Sequence, residues 1–291
     1  MNAPSAVILH HNAGQVLAKN LEALGESTML LQHVLVLDNS SDQLAASEAE
    51  KLCSQHGTTY VRIPNKGYGA AMNLGLAHPL IRNSDFILLL THETVISRNC
   101  VADLTLALYA DDRLAAAGPV LGQLAHPDTL WSAGGVLHDD WHVTHLTEPG
   151  HLAAWTSGPP RRVDWLDGAA VMLRRSALEQ TGGFDERFFL YWEEIELQQR
   201  MIRAGWLVAV VPSAIAWQSS GSDWAEAIMQ RNKLLFVETA ADCRTAYRVL
   251  VRDLKKLYRA CQDAPRHERR ALAAPRLRGI ASYVFRRWGL I

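Results

Sequence analysis

The 291-residue sequence has no apolar run long enough to cross a bilayer. Such a span needs about 18 or more apolar residues, and the longest candidate, Phe86-Ile87-Leu88-Leu89-Leu90, is the size of a strand. Cysteine is scarce: Cys53, Cys100, Cys243 and Cys261 are scattered and form no CxxC pair. That usage argues against a disulfide framework or a paired zinc site and predicts reduced thiols in a cytoplasmic protein. The opening Met1-Asn2-Ala3-Pro4 lacks the basic-then-apolar layout of a secretory signal. Net charge is almost absent as well, at −1. The balance conceals an asymmetry: residues 244–291 hold 13 Lys/Arg against 3 Asp/Glu, whereas the preceding 243 residues hold 16 against 27. A basic tail on an acidic body predicts an anionic partner for the tail, either the body itself or an outside surface. No stacking-aromatic or helix-turn-helix pattern accompanies the charge, so nucleic acid is not an expected partner.

What is present is ordinary globular material, 48% hydrophobic and 20% charged, enough to bury a core as one large domain or two joined lobes. In the first third, short apolar strands alternate with helical stretches. Strands are predicted at Ala6–His10, Val34–Leu37, Thr59–Ile63 and Phe86–Leu90, and helices at Ala13–Leu24, Gln43–His56 and Gly69–Leu80. Continuous apolar strands separated by helices imply an α/β fold, a Rossmann-like, mostly parallel sheet with helices on both faces. Ligands of such sheets lie beyond the carboxyl ends of the strands. Here those ends carry His10-His11-Asn12, Asp38-Asn39-Ser40, Asn65-Lys66 and Thr91-His92-Glu93. Residues 131–160 read as strands and a long loop with three tryptophans and four histidines, His138, His142, His145 and His151. A strand from Val163 to Leu173, a helix near Ser176, a helix from Glu193 to Ala204 and a strand from Trp206 to Val211 follow. Beyond Ser222 the pattern is helical, interrupted at Pro265 and Pro275. This gives three parts: residues 1–115, residues 116–221 of the same domain, and a basic helical extension at 222–291.

Several stretches carry chemistry. Asp38 can accept from a nucleobase or ribose, or Asp38-Asn39-Ser40-Ser41 can cap the next helix. Gly67-x-Gly69 opens like a dinucleotide loop, but Met72 holds the third glycine position. Glu93 at a strand end is placed for a divalent cation beside a diphosphate, and His92 is a ligand, a phosphate donor or a turn residue. The most informative segment is Gly182-Gly183-Phe184-Asp185-Glu186-Arg187-Phe188-Phe189-Leu190-Tyr191-Trp192-Glu193-Glu194-Ile195-Glu196-Leu197. Three carboxylates in four positions suit a helix start, where the dipole favours acids. Crowded beside aromatics, they also raise one another's pKa, as a general base requires.

That segment resembles the GGFDExFFxYxEDxDL motif of the family 2 inverting glycosyltransferases, in particular their rhamnosyltransferase-like branch. Five further segments resemble the family in order: Val7 to Asn12, Asp38-Asn39-Ser40-Ser41, Asn65 to Gly75, Leu88 to Thr94, and Trp165-Leu166-Asp167-Gly168-Ala169-Ala170 with Arg174-Arg175. The resemblance implies a GT-A fold and transfer of a sugar from a dTDP, UDP or GDP donor to a hydroxyl acceptor on a saccharide, a lipid-linked sugar or a natural product. It implies Glu194 as catalytic base, and Glu193, Trp165, Asp167, Gly168 and Trp192 on the acceptor side. His10, Asn12, Asp38, Asn65, Gly67, Gly69, Asn73, Thr91, His92, Arg231 and Lys233 would meet the nucleotide, with Glu93 at the metal-binding position.

Two departures bear on the metal. Glutamate replaces aspartate at 93, 194 and 196, and Trp217 stands where the family often has a histidine; indole cannot ligate a metal. With the resemblance, they imply weak or absent dependence on Mg2+ or Mn2+. A catalytically inactive nucleotide-sugar-binding relative would share these departures, and a nicotinamide-dependent oxidoreductase would fit only the Gly67 loop. The Trp131, Trp141 and Trp155 loop is expected against the acceptor. The tail around Arg269-Arg270, Arg276, Arg278 and Arg286-Arg287 is expected on anionic lipid at the inner membrane face, on the acidic body, or in a homodimer.

Overall fold

The computed structural model describes residues 2–219 and 226–290; the expected boundary at 221/222 lies outside them. Parallel strands β1 (Ser5–His10), β2 (Val34–Asp38), β3 (Thr59–Arg62) and β4 (Phe86–Thr91) form one half of the sheet. Helices α1 (Gly14–Gly25), α2 (Gln43–Gln55) and α3 (Tyr68–Ala77) connect them. After β5 (Thr94–Ile96) and α4 (Cys100–Ala110) come β6 (Leu114–Gln123), β7 (Leu130–Ser132), the hairpin β8 (Gly135–Leu137) and β9 (Val143–His145), and β10 (Arg161–Arg162). Then follow β11 (Ala170–Arg174), α5 (Arg175–Thr181), α6 (Glu193–Arg203) and β12 (Leu207–Gln218). The chain closes with α7 (Glu226–Ala240), α8 (Cys243–Asp263) and α9 (Arg269–Val284).

The main sheet runs β10-β12-β6-β11-β4-β1-β2-β3, with β11 antiparallel to both neighbours. Alternation sorts its side chains. Ala6, Ile8, Val36, Leu88 and Leu90 meet α1, α2 and α4, whereas Val7, Leu9, Leu35, Leu37 and Leu89 meet α3, α5 and α6. Both faces are therefore apolar, as a sheet covered on both sides requires.

Four differences from the sequence pattern have local causes. Residues 114–123 give no strand signal, being rich in alanine and interrupted by Gly118-Pro119, yet β6 is central and buried. Pro119 is accommodated because it faces a register shift in β12, between Val211 and Ile215. The same irregularity carries β12 past Pro212, well beyond Val211, where the pattern ends it. Residues 163–169 are irregular, since the Leu166 N–H and carbonyl are satisfied by the Gln198 side chain at 2.7 and 2.8 Å. Finally, Pro275 sits inside α9 without ending it.

Candidate active site

A cavity of about 360 Å3 opens at the carboxyl end of β4, between the hairpin and the start of α6. Thr91, Glu93, Trp165, Asp167, Gly168, Trp192, Glu193 and Glu194 all line it, so the expected base, the five acceptor-side residues and two of the strand-end residues meet in one place. Among the described residues, five buried polar atoms of its lining have no hydrogen-bond partner in the protein: Asp167 Oδ2, Glu193 Oε2, Glu194 Oε2 and the indole nitrogens of Trp131 and Trp165. An unpaired buried polar atom costs on the order of 1–3 kcal/mol, so this set is built for a ligand offering both hydroxyl donors and acceptors.

The two glutamates at the start of α6 are chemically distinct. Burial raises Glu193 well above the carboxylate range, and the Glu194 charge adds to it. Burial, with Asp167 adding to it and His145 opposing, pushes Glu194 up to about 7. Both carboxyls are therefore harder to ionise than free ones, the condition under which a buried carboxylate exchanges a proton near neutral pH. His145 was noted in the sequence only as one of four scattered histidines. Its Nε2 lies 2.9 Å from Asp167 Oδ1, and its ring is 4.7 Å from that of Trp165. Burial alone would lower its pKa, but Asp167 and then Glu194 outweigh this and raise it. Tyr68 fastens the cavity floor, its hydroxyl donating to the Gly168 carbonyl at 2.7 Å.

The loop before the glutamates is strained. Phe189, Tyr191 and Trp192 have φ of 63°, 68° and 75°, a region that bulky residues seldom occupy. Asn232 holds it in place: its side-chain amide donates to the carbonyls of Phe188, Leu190 and Tyr191 at 2.6, 2.8 and 2.7 Å. Arg231 adds a bond to the Phe188 carbonyl at 2.8 Å. This corrects the expectation for Arg231, which is fully buried and spends its remaining donors on Asn232 and the carbonyls of Arg287 and Gly289. Lys233 is likewise engaged, paired with Asp253 at 2.8 Å. Asn73 is also corrected: it bonds the Phe184 N–H and carbonyl and Glu186, tying α3 to this loop.

Gly67 and Gly69 serve the same packing. Gly67 has φ 95° and a Cβ there would strike the Phe189 carbonyl, while one on Gly69 would press on Phe184. The N–H groups of Gly67 and Tyr68 go to Asn65 Oδ1 and the Phe189 carbonyl. The loop holds protein, not a pyrophosphate, and the nicotinamide reading loses its support.

At the ends of β1 and β2 the register pairs His10 with Asp38. Asp38 is fully buried and accepts from Ser40, Tyr60 and His10 at 2.5, 2.6 and 2.9 Å. Burial would raise its pKa, yet these bonds lower it. Direct base contact is thus corrected to a supporting role, since both oxygens are engaged. Helix α2 is capped by Asp42 instead. Ala13 N donates to His10 Nε2, which leaves the proton on Nδ1, facing Asp38. Asn12, bonded to Ser41 and Asp42, and Asn65 form the exposed edge of this shelf. His92 packs edge-on to His10 at 5.3 Å, and burial and His10 depress its pKa to about 4. Its Nδ1 donates to the Leu9 carbonyl at 3.2 Å, so the neutral ring offers Nε2 as a lone pair.

Burial also raises Glu93, with Ser219 opposing. Among the described residues no three His, Cys, Asp or Glu side chains converge to cage an ion. Cations at diphosphates take most of their oxygens from phosphate and water, with one or two carboxylates, and Glu93 fits that arrangement. Trp217 turns away, its indole donating to the Pro127 carbonyl at 3.0 Å, while the adjacent Gln218 lines the cavity. Glu196 does not join the pair: it binds Arg200 at 2.7 Å, and Arg200 in turn holds the Thr181 and Gly183 carbonyls. Of the loop tryptophans Trp131 lines the cavity, Trp141 packs on Phe236, and Trp155 stacks with Arg161.

Comparison with known proteins gives a consistent picture. The family model described as "Glycosyltransferase like family 2" matches residues 5–234. Over 81 residues the chain is 42% identical to an N-acetylglucosaminyl-diphospho-decaprenol L-rhamnosyltransferase of Mycobacterium tuberculosis, a match covering 26% of each chain. It thus spans about a quarter of that relative's length. Galactofuranosyltransferase GlfT1 of the same organism is 27% identical over 223 residues, covering 75% of this chain and 70% of that one. Among solved structures, mannosyltransferase PcManGT from Pyrobaculum calidifontis, in complex with GDP-Man and Mn2+, matches with a TM-score of 0.59 at 12% identity, over 99% of this chain and 89% of the other. GalNAc-T7 with UDP, GalNAc and Mn2+ matches with a TM-score of 0.65 at 16% identity, over 81% and 47%. At these identities the two structures speak for the fold, which is of GT-A type.

Proposed function

The chain belongs to the family 2 glycosyltransferases, and from that premise we propose that it transfers a sugar from a nucleoside-diphosphate donor to an acceptor hydroxyl with inversion. The observation that carries this reading is the convergence of Glu194, Glu193, Asp167 and two unpartnered indole N–H groups in one sugar-sized cavity at the carboxyl edge of the sheet. Glu194 takes the proton of the acceptor hydroxyl as that oxygen bonds to the anomeric carbon. The bond from that carbon to the diphosphate oxygen breaks on the opposite face, and the nucleoside diphosphate departs with the electron pair. Asp167 and Glu193 hold the acceptor's hydroxyls, while Trp131 and Trp165 offer indole donors. A divalent cation at Glu93 would offset the charge of the leaving diphosphate.

The relative whose printed name specifies a decaprenol-linked acceptor and rhamnosyl transfer supports a deoxysugar donor and a lipid-linked acceptor within this reading, to which we add dTDP as the nucleotide and the cytoplasmic side as the place of reaction. Thermal shift with dTDP, UDP and GDP, each with and without Mn2+, tests it together with a transfer assay on the matching sugar donor. One nucleotide is expected to raise Tm and its sugar to be transferred. Glu93→Gln is expected to remove the Mn2+-dependent part of the shift and leave the rest. Failure of every nucleotide to bind would overturn the reading, and an undiminished Mn2+ effect in Glu93→Gln would overturn the assignment of Glu93.

A further inference from the structure

We propose that the outer face of α8 is a docking surface for an anionic lipid bilayer, a property that goes beyond sugar transfer and does not depend on it. The segment expected on lipid from the sequence, residues 269–288, is in part engaged with the body. Arg276 pairs with Glu226 at 2.6 Å, Arg286 with Glu238 at 2.7 Å, and Tyr283 also bonds Glu238. Gly279 is set against the Ala227 carbonyl of α7.

Helix α8 is different. Ala246, Val249 and Leu257 are buried, which fixes its orientation. The opposite side carries Tyr247, Val251, Leu254 and Tyr258, spaced so that all four share one stripe. Tyr247 and Tyr258 are each 65% exposed and Leu254 37%, and the stripe is about 16 Å long. Arg244, Arg248, Lys255 and Arg259 stand in a row along one flank of it. All four are exposed, and among the described residues none has an ion-pair partner. An apolar stripe tipped with tyrosine hydroxyls, beside an unneutralised basic row, is complementary to the acyl boundary and the anionic headgroups of a membrane surface. No helix among the described residues is long and apolar enough to cross a membrane, so the contact is peripheral.

The surface is tied to the cavity. Arg252 on α8 donates to the Asp140 carbonyl at 2.6 Å and pairs with its carboxylate at 3.4 Å. Asp140 lies in the turn of the hairpin whose Val143 and His145 line the cavity. Docking α8 would therefore set the acceptor side of the site beside the bilayer.

Co-sedimentation of the full chain with vesicles of phosphatidylcholine alone, and of phosphatidylcholine mixed with phosphatidylglycerol, tests the proposal. The wild type is expected in the pellet only with the anionic vesicles, and less so at high salt. A variant combining Arg244→Gln, Arg248→Gln, Lys255→Gln and Arg259→Gln is expected to bind at least about tenfold more weakly. A second, with Tyr247→Ser, Leu254→Ser and Tyr258→Ser, is expected to lose binding at all salt concentrations. All seven side chains are exposed, and an unchanged Tm verifies that both variants fold. No binding by the wild type overturns the proposal, as does equal binding by all three proteins. So does a stripe variant that loses self-association in sedimentation velocity while keeping its vesicle affinity, since the stripe would then face a second copy.

Discussion

Replacing Glu194 with glutamine is expected to lower kcat between about a hundredfold and ten-thousandfold, the span that a positioned general base contributes, while leaving nucleoside diphosphate affinity unchanged. The isosteric amide keeps the volume and removes only the basic oxygen. Because burial places Glu194 near 7, kcat/KM in the wild type should rise with pH through that value and level off above it. Asp167→Asn should move the rising limb to lower pH and His145→Asn to higher pH, since Asp167 raises Glu194 and His145 opposes it. The same shift fixes the sign of the stability effect. A carboxyl whose folded pKa is raised contributes stability that is complete below its unfolded pKa and is lost as pH rises through the folded value. At pH 8 the wild type bears a buried charge that Glu194→Gln lacks, so the inactive variant should melt higher. Loss of turnover with a gain in Tm distinguishes a missing base from a damaged fold. Turnover within tenfold of wild type would remove Glu194 from the mechanism, and a wild type that binds nucleotide but transfers nothing would establish the inactive relative.

The parts of this molecule that could be read from its sequence are those where local pattern and global position agree. β1, β2 and β4 are continuous apolar runs ending in polar residues, and the cavity opens at the carboxyl end of β4. Trp165, Asp167, Gly168 and the acidic pair were legible because ordered segments place them together. β6 was not, since alanine, glycine and proline carry no strand preference and its place is set by the neighbours on either side. His145 gave no signal because its partner, Asp167, is 22 residues away and reached only through the hairpin. Arg231 misled for a general reason: a cation near a diphosphate motif suggests a ligand, whereas five N–H donors can equally serve backbone carbonyls in the core. Asn232, beside it, carries no motif at all, and only the strained loop shows what it does.

That loop gives the second large effect. Phe189, Tyr191 and Trp192 each occupy a backbone region costing roughly 1–3 kcal/mol, and they lead directly into Glu193 and Glu194. Asn232→Ala would strip the Phe188, Leu190 and Tyr191 carbonyls of a buried donor and release the hold on that strain. The Phe188 carbonyl keeps its bonds from Arg231 and Leu190, so at about 1–3 kcal/mol for a buried carbonyl that loses its donor, with the released strain added, a loss of roughly 2 kcal/mol or more is expected, seen as a Tm lower by at least about 4 °C. The remaining folded protein should show a fall in kcat with little change in KM for the donor, because the relaxed loop displaces the glutamates and leaves the exposed edge at Asn12 and Asn65, the proposed nucleotide side, untouched. Arg231→Met tests the neighbouring residue. Methionine fills much of the same volume but leaves the Gly289 carbonyl without its donor and takes one of three donors from the Phe188 carbonyl, so Tm should again fall while nucleotide affinity holds. If Arg231→Met instead weakened nucleotide binding at unchanged Tm, the arginine would belong to the diphosphate site after all, and the loop would be held by Asn232 alone.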